Sequence, residues 1–360
     1  MDGSTPAPGA SQPAQFARPV VVEAAPRRRG VWGCLLVSFL LVVLCFSLML
    51  NMGLMAMVPG DFFSQSESTV RERYHSLNRF GREKIAVIDV EGAIMETEGG
   101  FVKKQIDQVL KDDAVKGVVL RVNSPGGTVS ASDYLLHHLK EMKTAREIPL
   151  VVSMGGICAS GGYYVSMAVG DSPDTIYAEP TTWTGSIGVV IPHYDLSGLL
   201  TEWKIADDSI KSAPLKTMGS PTKPMTEEEK AVLQGLVDDS FKRFKEIVVA
   251  GRPVFKDDNA ALDKVTTGQV FTADQAVTDK IVDRIGFVED AIDRVIEMAG
   301  LDKENVRVVK YVKPPTFADA LFGSQSQSQG LNLAALADLS VPQAYYIYSN
   351  LPAALTTRQK

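Results

Sequence analysis

With 360 residues, 45% of them apolar and 22% charged, the chain can bury a core of ordinary size, as one large domain or two small ones with extensions, and a disordered protein is excluded. A formal net charge of −6, with no basic stripe interleaved with aromatics, removes the electrostatic reason to expect nucleic acid as a partner. The three cysteines give no disulfide framework and no zinc spacing, so neither a metal site nor a cofactor is expected.

Residues 1–29 are rich in Pro, Ala, Ser and Gln without periodicity, and they read as a disordered tail. Arg27, Arg28 and Arg29 precede an uncharged apolar run over 30–58, longer than the roughly 20 residues that span a bilayer. "GLMAMVPGD" is a poor cleavage site, which favours an uncleaved single-pass anchor. The basic triplet orients it, with the tail cytoplasmic and the remainder outside the cytoplasmic membrane. Residues 59–83 read as a juxtamembrane linker.

From about residue 84 strand and helix alternate. "KIAVIDVEGAI" reads as a strand ending near Gly92, and "FVKKQIDQVLKDD" as an amphipathic helix with Ile106, Val109 and Leu110 inward. "VKGVVLRVNSPGG" is a second buried strand, "SASDYLLHHLKEMKTA" a helix entered through Ser130 or Ser132, and "IPLVVSM" a third strand. Capping boxes at Thr226-x-x-Glu229 and Thr272-x-x-Gln275 open two further helices. These units imply a layered α/β domain over 84–312 with its working loops at the strand ends. Residues 313–360 contain the low-complexity "SQSQSQG" and then an apolar stretch whose role the sequence does not indicate.

Two glycine turns carry the chemistry. In "NSPGG" Pro125 fixes one φ, and Gly126 and Gly127 leave backbone N–H groups able to face an oxygen. In "MGGICASGGYYVSMAVG" Ser160 precedes Gly161 and Gly162 where a strand turns into a helix, an elbow that exposes a hydroxyl beside a helix N-terminus. The serine needs a base. His193 is the one credible histidine, and the alternative is a lysine whose amine burial makes available, with Lys211 and Lys216 both in "SIKSAPLKTMGSP". Tyr163 and Tyr164 read as packing for the elbow, and Cys158, two residues before Ser160, as the weaker nucleophile.

The stretches "VNSPGG", "ASGGYYVSMA", "TWTGSIGVV", "IKSAPLK" and "GQVFTADQAVTDKIVDRIGF", in that order, resemble the signal peptide peptidase SppA family in its short, single-domain bacterial form. The resemblance implies a membrane-bound serine/lysine endopeptidase on the fold shared with Clp protease and the crotonases. It maps the nucleophile onto Ser160, the lysine-orienting hydroxyl onto Ser186, and the oxyanion turn onto Gly126 and Gly127, with Gly161 contributing. The spacing of the short form places the base on Lys216, whereas the tandem form uses the equivalent of Lys211. It further implies remnant signal peptides and other extended apolar peptides as substrates, and a homo-oligomeric ring of eight in which neighbouring chains supply the serine and the lysine. "VGDSPDTIYAEP" is a few residues longer than the family pattern and falls on a rim loop. Two other readings use the same turns: a crotonase-type acyl-CoA enzyme, with Glu179 as its nearest carboxylate, and a catalytically inactive membrane scaffold.

Overall fold

The computed structural model describes residues 31–57, 70–95, 100–314 and 344–347. By internal contacts the chain divides into a unit at 1–65 and a unit at 66–360.

In the first unit Val31–Met57 form one helix, α1, of 27 residues without a charged side chain. Its described side chains, at 33 and 35–51, are exposed throughout. Among the described residues no helix is long and apolar enough to cross a membrane. The helical backbone of α1 continues past that described stretch at both ends.

The second unit is a mixed α/β domain around a largely parallel sheet. Its strands are β1 (Arg71–Leu77), β2 (Glu83–Glu91), β3 (Val115–Ser124), β5 (Leu150–Ala159), β6 (Ile176–Ala178), β9 (Arg284–Ile285) and β10 (Val306–Val312), in the order β1-β10-β2-β3-β5-β6-β9. Beyond the middle of β5, β7 (Trp183–Gly185) pairs parallel with its last residues, and β8 (Val270–Thr272) pairs antiparallel with β7. A short strand β4 (Gly126–Thr128) pairs with β11 (Tyr345–Ile347) in a separate ladder.

Both faces of the central strands are covered, which is why β2, β3 and β5 read as continuous apolar runs. Ala86, Ile88, Val118, Leu120, Val152 and Met154 point into the larger core, beneath α3 (Val129–Arg146), α4 (Gly161–Ser166) and α6 (Glu227–Gly251). Ile85, Val87, Val119 and Val151 point the other way, against Ala291, Ile292, Val295 and Ile296 of α9 (Val288–Ala299). Gly117 is required by this second contact, since a Cβ there would lie 2.3 Å from Val295 Cγ1.

Several sequence expectations change. Helix α2 (Phe101–Lys111) buries Ile106 and Val109, but Leu110 is 36% exposed. The buried place beside Ile106 goes to Gln105, whose amide exchanges hydrogen bonds with both backbone groups of Asp89 at 3.0 Å. Helix α3 is entered through Thr128 instead of Ser130 or Ser132: the end of β4 leaves Thr128 extended, and its hydroxyl accepts from Ala131 N–H. The capping boxes at Thr226 and Thr272 both form, although the second opens only the short helix α8 (Ala273–Thr278). Residues 71–77, expected within a linker, are β1 and pair antiparallel with β10. Within the C-terminal stretch, Tyr345–Ile347 are β11.

Candidate active site

Strand β5 runs straight into Ser160. Its register with β7 pairs Ala159 with Gly185, and the next amide, that of Ser160, donates to Gly185 O at 2.7 Å. Ser160 then turns sharply, with φ 53° and ψ −112°, into α4. A positive φ is costly for a residue with a Cβ and is found where surrounding structure over-determines it. The turn leaves Ser160 only 1% exposed, and among the described residues no side chain hydrogen-bonds its hydroxyl.

Ser186 is built the same way one strand over. It follows Gly185 at the end of β7, has φ 49°, and its amide donates to Gln269 O at 2.7 Å. Neighbouring strands lie about 4.8 Å apart, so the two serines, each one residue past a paired position, stand side by side at the same sheet end.

The two glycine turns meet there. A Cβ on Gly126, whose φ is +107°, would lie 2.8 Å from the Gly161 nitrogen, and a Cβ on Gly161 would lie 3.0 Å from the Gly127 nitrogen. Gly127 is held against residue 94: Ile94 N–H donates to Gly126 O at 2.8 Å, and Thr128 N–H donates to Ile94 O at 2.9 Å. Only glycine fits, since a Cβ at 127 would sit 1.8 Å from the Ile94 oxygen. The Gly126 amide donates to Ser124 Oγ within its own turn at 3.1 Å. Gly126 therefore shapes the turn, and the Gly127 and Gly161 amides are the ones available to an oxyanion.

The residues around the elbow are structural. Cys158 is fully buried, its thiol 3.5 Å from Ser166 Oγ, and burial pushes its pKa up to about 12, which disfavours a thiolate. Tyr163 donates to Ile281 O at 2.9 Å and Tyr164 to Asp133 at 2.6 Å. Glu179 is held by Arg121 at 2.5 Å, so its carboxylate is engaged as an ion pair.

The candidate bases lie on the segment that follows Ser186. His193 contacts Ser220 O at 3.3 Å, a structural role. Lys211 is exposed, with its amine 3.4 Å from Thr217 Oγ1. Lys216 is exposed too, on a 3-10 turn over Pro214–Thr217. The chain thus brings Ser160, Ser186, Gly126, Gly127 and Gly161 together, and among the described residues it makes no hydrogen bond between either lysine and Ser160. Among the described residues one group, His137, His138 and Glu141 on α3, places three possible metal ligands within 4.8 Å of one another. It lies away from both glycine turns in sequence and on an exposed helix face.

Comparison with known proteins gives this arrangement a family. The model of peptidase family S49 matches residues 142–302, a span that holds Ser160, Ser186 and both lysines. An Enterococcus faecium protein provisionally named signal peptide peptidase SppA is 32% identical over 315 residues, 80% of this chain and 88% of its own. A Synechocystis protein provisionally named a protease is 36% identical over 251 residues, 69% of this chain and 86% of its own. Protease 4 of Salmonella typhi is 34% identical over 251 residues, 68% of this chain but 39% of its own. With a relative of that identity matched along most of its length, the chain belongs to peptidase family S49.

Proposed function

We propose that this chain is a membrane-anchored serine endopeptidase with a Ser/Lys dyad, cleaving remnant signal peptides and other extended apolar peptides at the outer face of the cytoplasmic membrane. One observation carries the reading: Ser160 sits at a strained strand-to-helix elbow, with the Gly127 and Gly161 amides converging beside it. The neutral amine of Lys216, oriented by the Ser186 hydroxyl, accepts the Ser160 proton as Oγ attacks the peptide carbonyl. The two amides hold the developing oxyanion, preorganised donors of the kind that supply much of the rate in acyl transfer. The lysine then protonates the leaving amine, and water releases the acyl group from Ser160.

The lysine reaches Ser160 from a neighbouring copy, in a ring of eight subunits. Support comes from the segment that bears Lys211 and Lys216. Tyr194, Leu196, Leu199, Trp203, Ile205 and Ile210 on it are all at least 45% exposed, an apolar surface that a second chain would cover. A serine-directed phosphonate will label the native protein at Ser160 alone, as read by peptide mass mapping. Labelling at Cys158, or none, would reject the mechanism.

The anchor is α1. Its 27 uncharged residues extend about 40 Å at 1.5 Å per residue, more than the roughly 30 Å of a hydrocarbon core. Protease added outside intact spheroplasts should digest or release the region after Val58 and leave the tail before Arg27 protected. The reverse pattern would place the domain on the other side of the membrane and end the proposal.

A further inference from the structure

The chain already holds a peptide strand against its candidate active site, and that strand is its own. Strand β11 pairs antiparallel with β4, placing Tyr346 opposite Gly127 and Ile347 opposite Gly126. On its other edge the Tyr345 amide donates to Val190 O at 2.9 Å and its carbonyl accepts from Val190 N–H at 3.1 Å. Residues 344–347 therefore lie in a slot with backbone partners on both sides, the Gly126–Gly127 turn on one and the segment four residues after Ser186 on the other. This is recognition by strand addition, in which main-chain bonds hold any extended peptide and pockets choose the side chains.

One pocket is well formed. Tyr346 is completely buried, stacked on Tyr164 at 5.0 Å and tilted against Phe244 at 4.6 Å. Its hydroxyl donates to Ser240 O at 2.9 Å. The walls are fixed from behind, because Tyr164 donates to Asp133, which also pairs with Arg243 at 3.1 Å. The Tyr346 carbonyl oxygen would be 1.9 Å from a Cβ on Gly126, at the point where that turn meets the Gly161 amide. The tyrosine thus enters the pocket while its carbonyl stays by the oxyanion turn.

We propose that the slot between β4 and Val190 is the substrate cleft, that the Tyr164–Phe244–Ser240 pocket selects a tyrosine side chain, and that residues 344–347 occupy both as an internal competitor. The substrates are then extended peptides carrying tyrosine at that position. This rests on the protease reading for its consequence but not for its test, because occupancy is read by binding.

The test uses the full chain carrying Ser160→Ala, so that nothing is cleaved, and a fluorescent acetyl-Ala-Tyr-Tyr-Ile amide as probe. Adding Tyr346→Ala should tighten probe binding at least tenfold by removing the competitor, and Tyr346→Phe, which keeps the ring, should give a smaller gain. In the Tyr346→Ala chain, the probe with phenylalanine at its third position should bind roughly tenfold more weakly, since it leaves the Ser240 carbonyl unpaired in a buried pocket. Equal affinity in the presence and absence of Tyr346, in both variants, would overturn the competitor. Equal affinity for the tyrosine and phenylalanine probes would overturn the pocket's selectivity. If phosphonate never labels Ser160 yet the probe binds as described, the protease reading falls and the slot stands.

Discussion

Ser160→Ala will abolish peptidase activity, lowering kcat on the order of a million-fold as loss of a serine nucleophile does elsewhere, while the protein stays folded. The change removes one oxygen that accepts no hydrogen bond from a described side chain, at a position already buried, and alanine keeps the same Cβ at φ 53°. The urea midpoint should therefore hardly move. Ser160→Gly should be equally inactive but more stable, by about 1 kcal/mol, because glycine takes a positive φ without the Cβ cost. That pair of results would show backbone strain held at the elbow for the sake of the hydroxyl. Normal turnover in Ser160→Ala would remove the serine mechanism altogether, and the buried, unreactive Cys158 leaves no ready substitute.

Much of this site was legible because its chemistry is written in glycine. Gly126 and Gly127 announce a turn that no side chain fits, and the structure supplies the reason in the Ile94 oxygen. Ser160 before Gly161 and Gly162 marks the elbow for the same reason. The capping boxes at Thr226 and Thr272 were equally plain, since each needs only residues three apart. What the sequence hid was pairing over long separations. Residues 71–77 carry five polar side chains in "RERYHSL" and look like linker, yet β10 supplies the ladder that makes them a strand. Gln105 breaks the apolar face of α2 because it serves the Asp89 backbone, which no helical periodicity foretells. Tyr346, more than 200 residues from Gly127, had no local signal beyond three strand-favouring residues in "YYI", and only β4 gives that tripeptide a role.

Lys216→Ala should eliminate both turnover and phosphonate labelling of Ser160, while Lys211→Ala retains a substantial part of each. A general base must come within about 3 Å of the proton it takes and must itself be neutral. Lys211 has the Asp207 carboxylate within electrostatic reach, and hydrogen bonds from Ser209 and Thr222 hold that carboxyl below its usual range. An anion is the wrong neighbour for an amine that has to lose its proton. Lys216 follows Ala213, Pro214 and Leu215, an apolar approach on a tight turn. Neither lysine hydrogen-bonds Ser160 within one chain, so the prediction has a second part. Coexpressing Ser160→Ala and Lys216→Ala subunits, each inactive alone, should restore activity: where an intact Ser160 faces a neighbour's intact Lys216, a whole site exists. Random assembly in equal amounts gives roughly a quarter of the parental sites in a ring with head-to-tail contacts. If every dyad is completed within its own chain, the mixture has no whole site and stays inactive, and if Lys211→Ala is the dead variant, the base is Lys211.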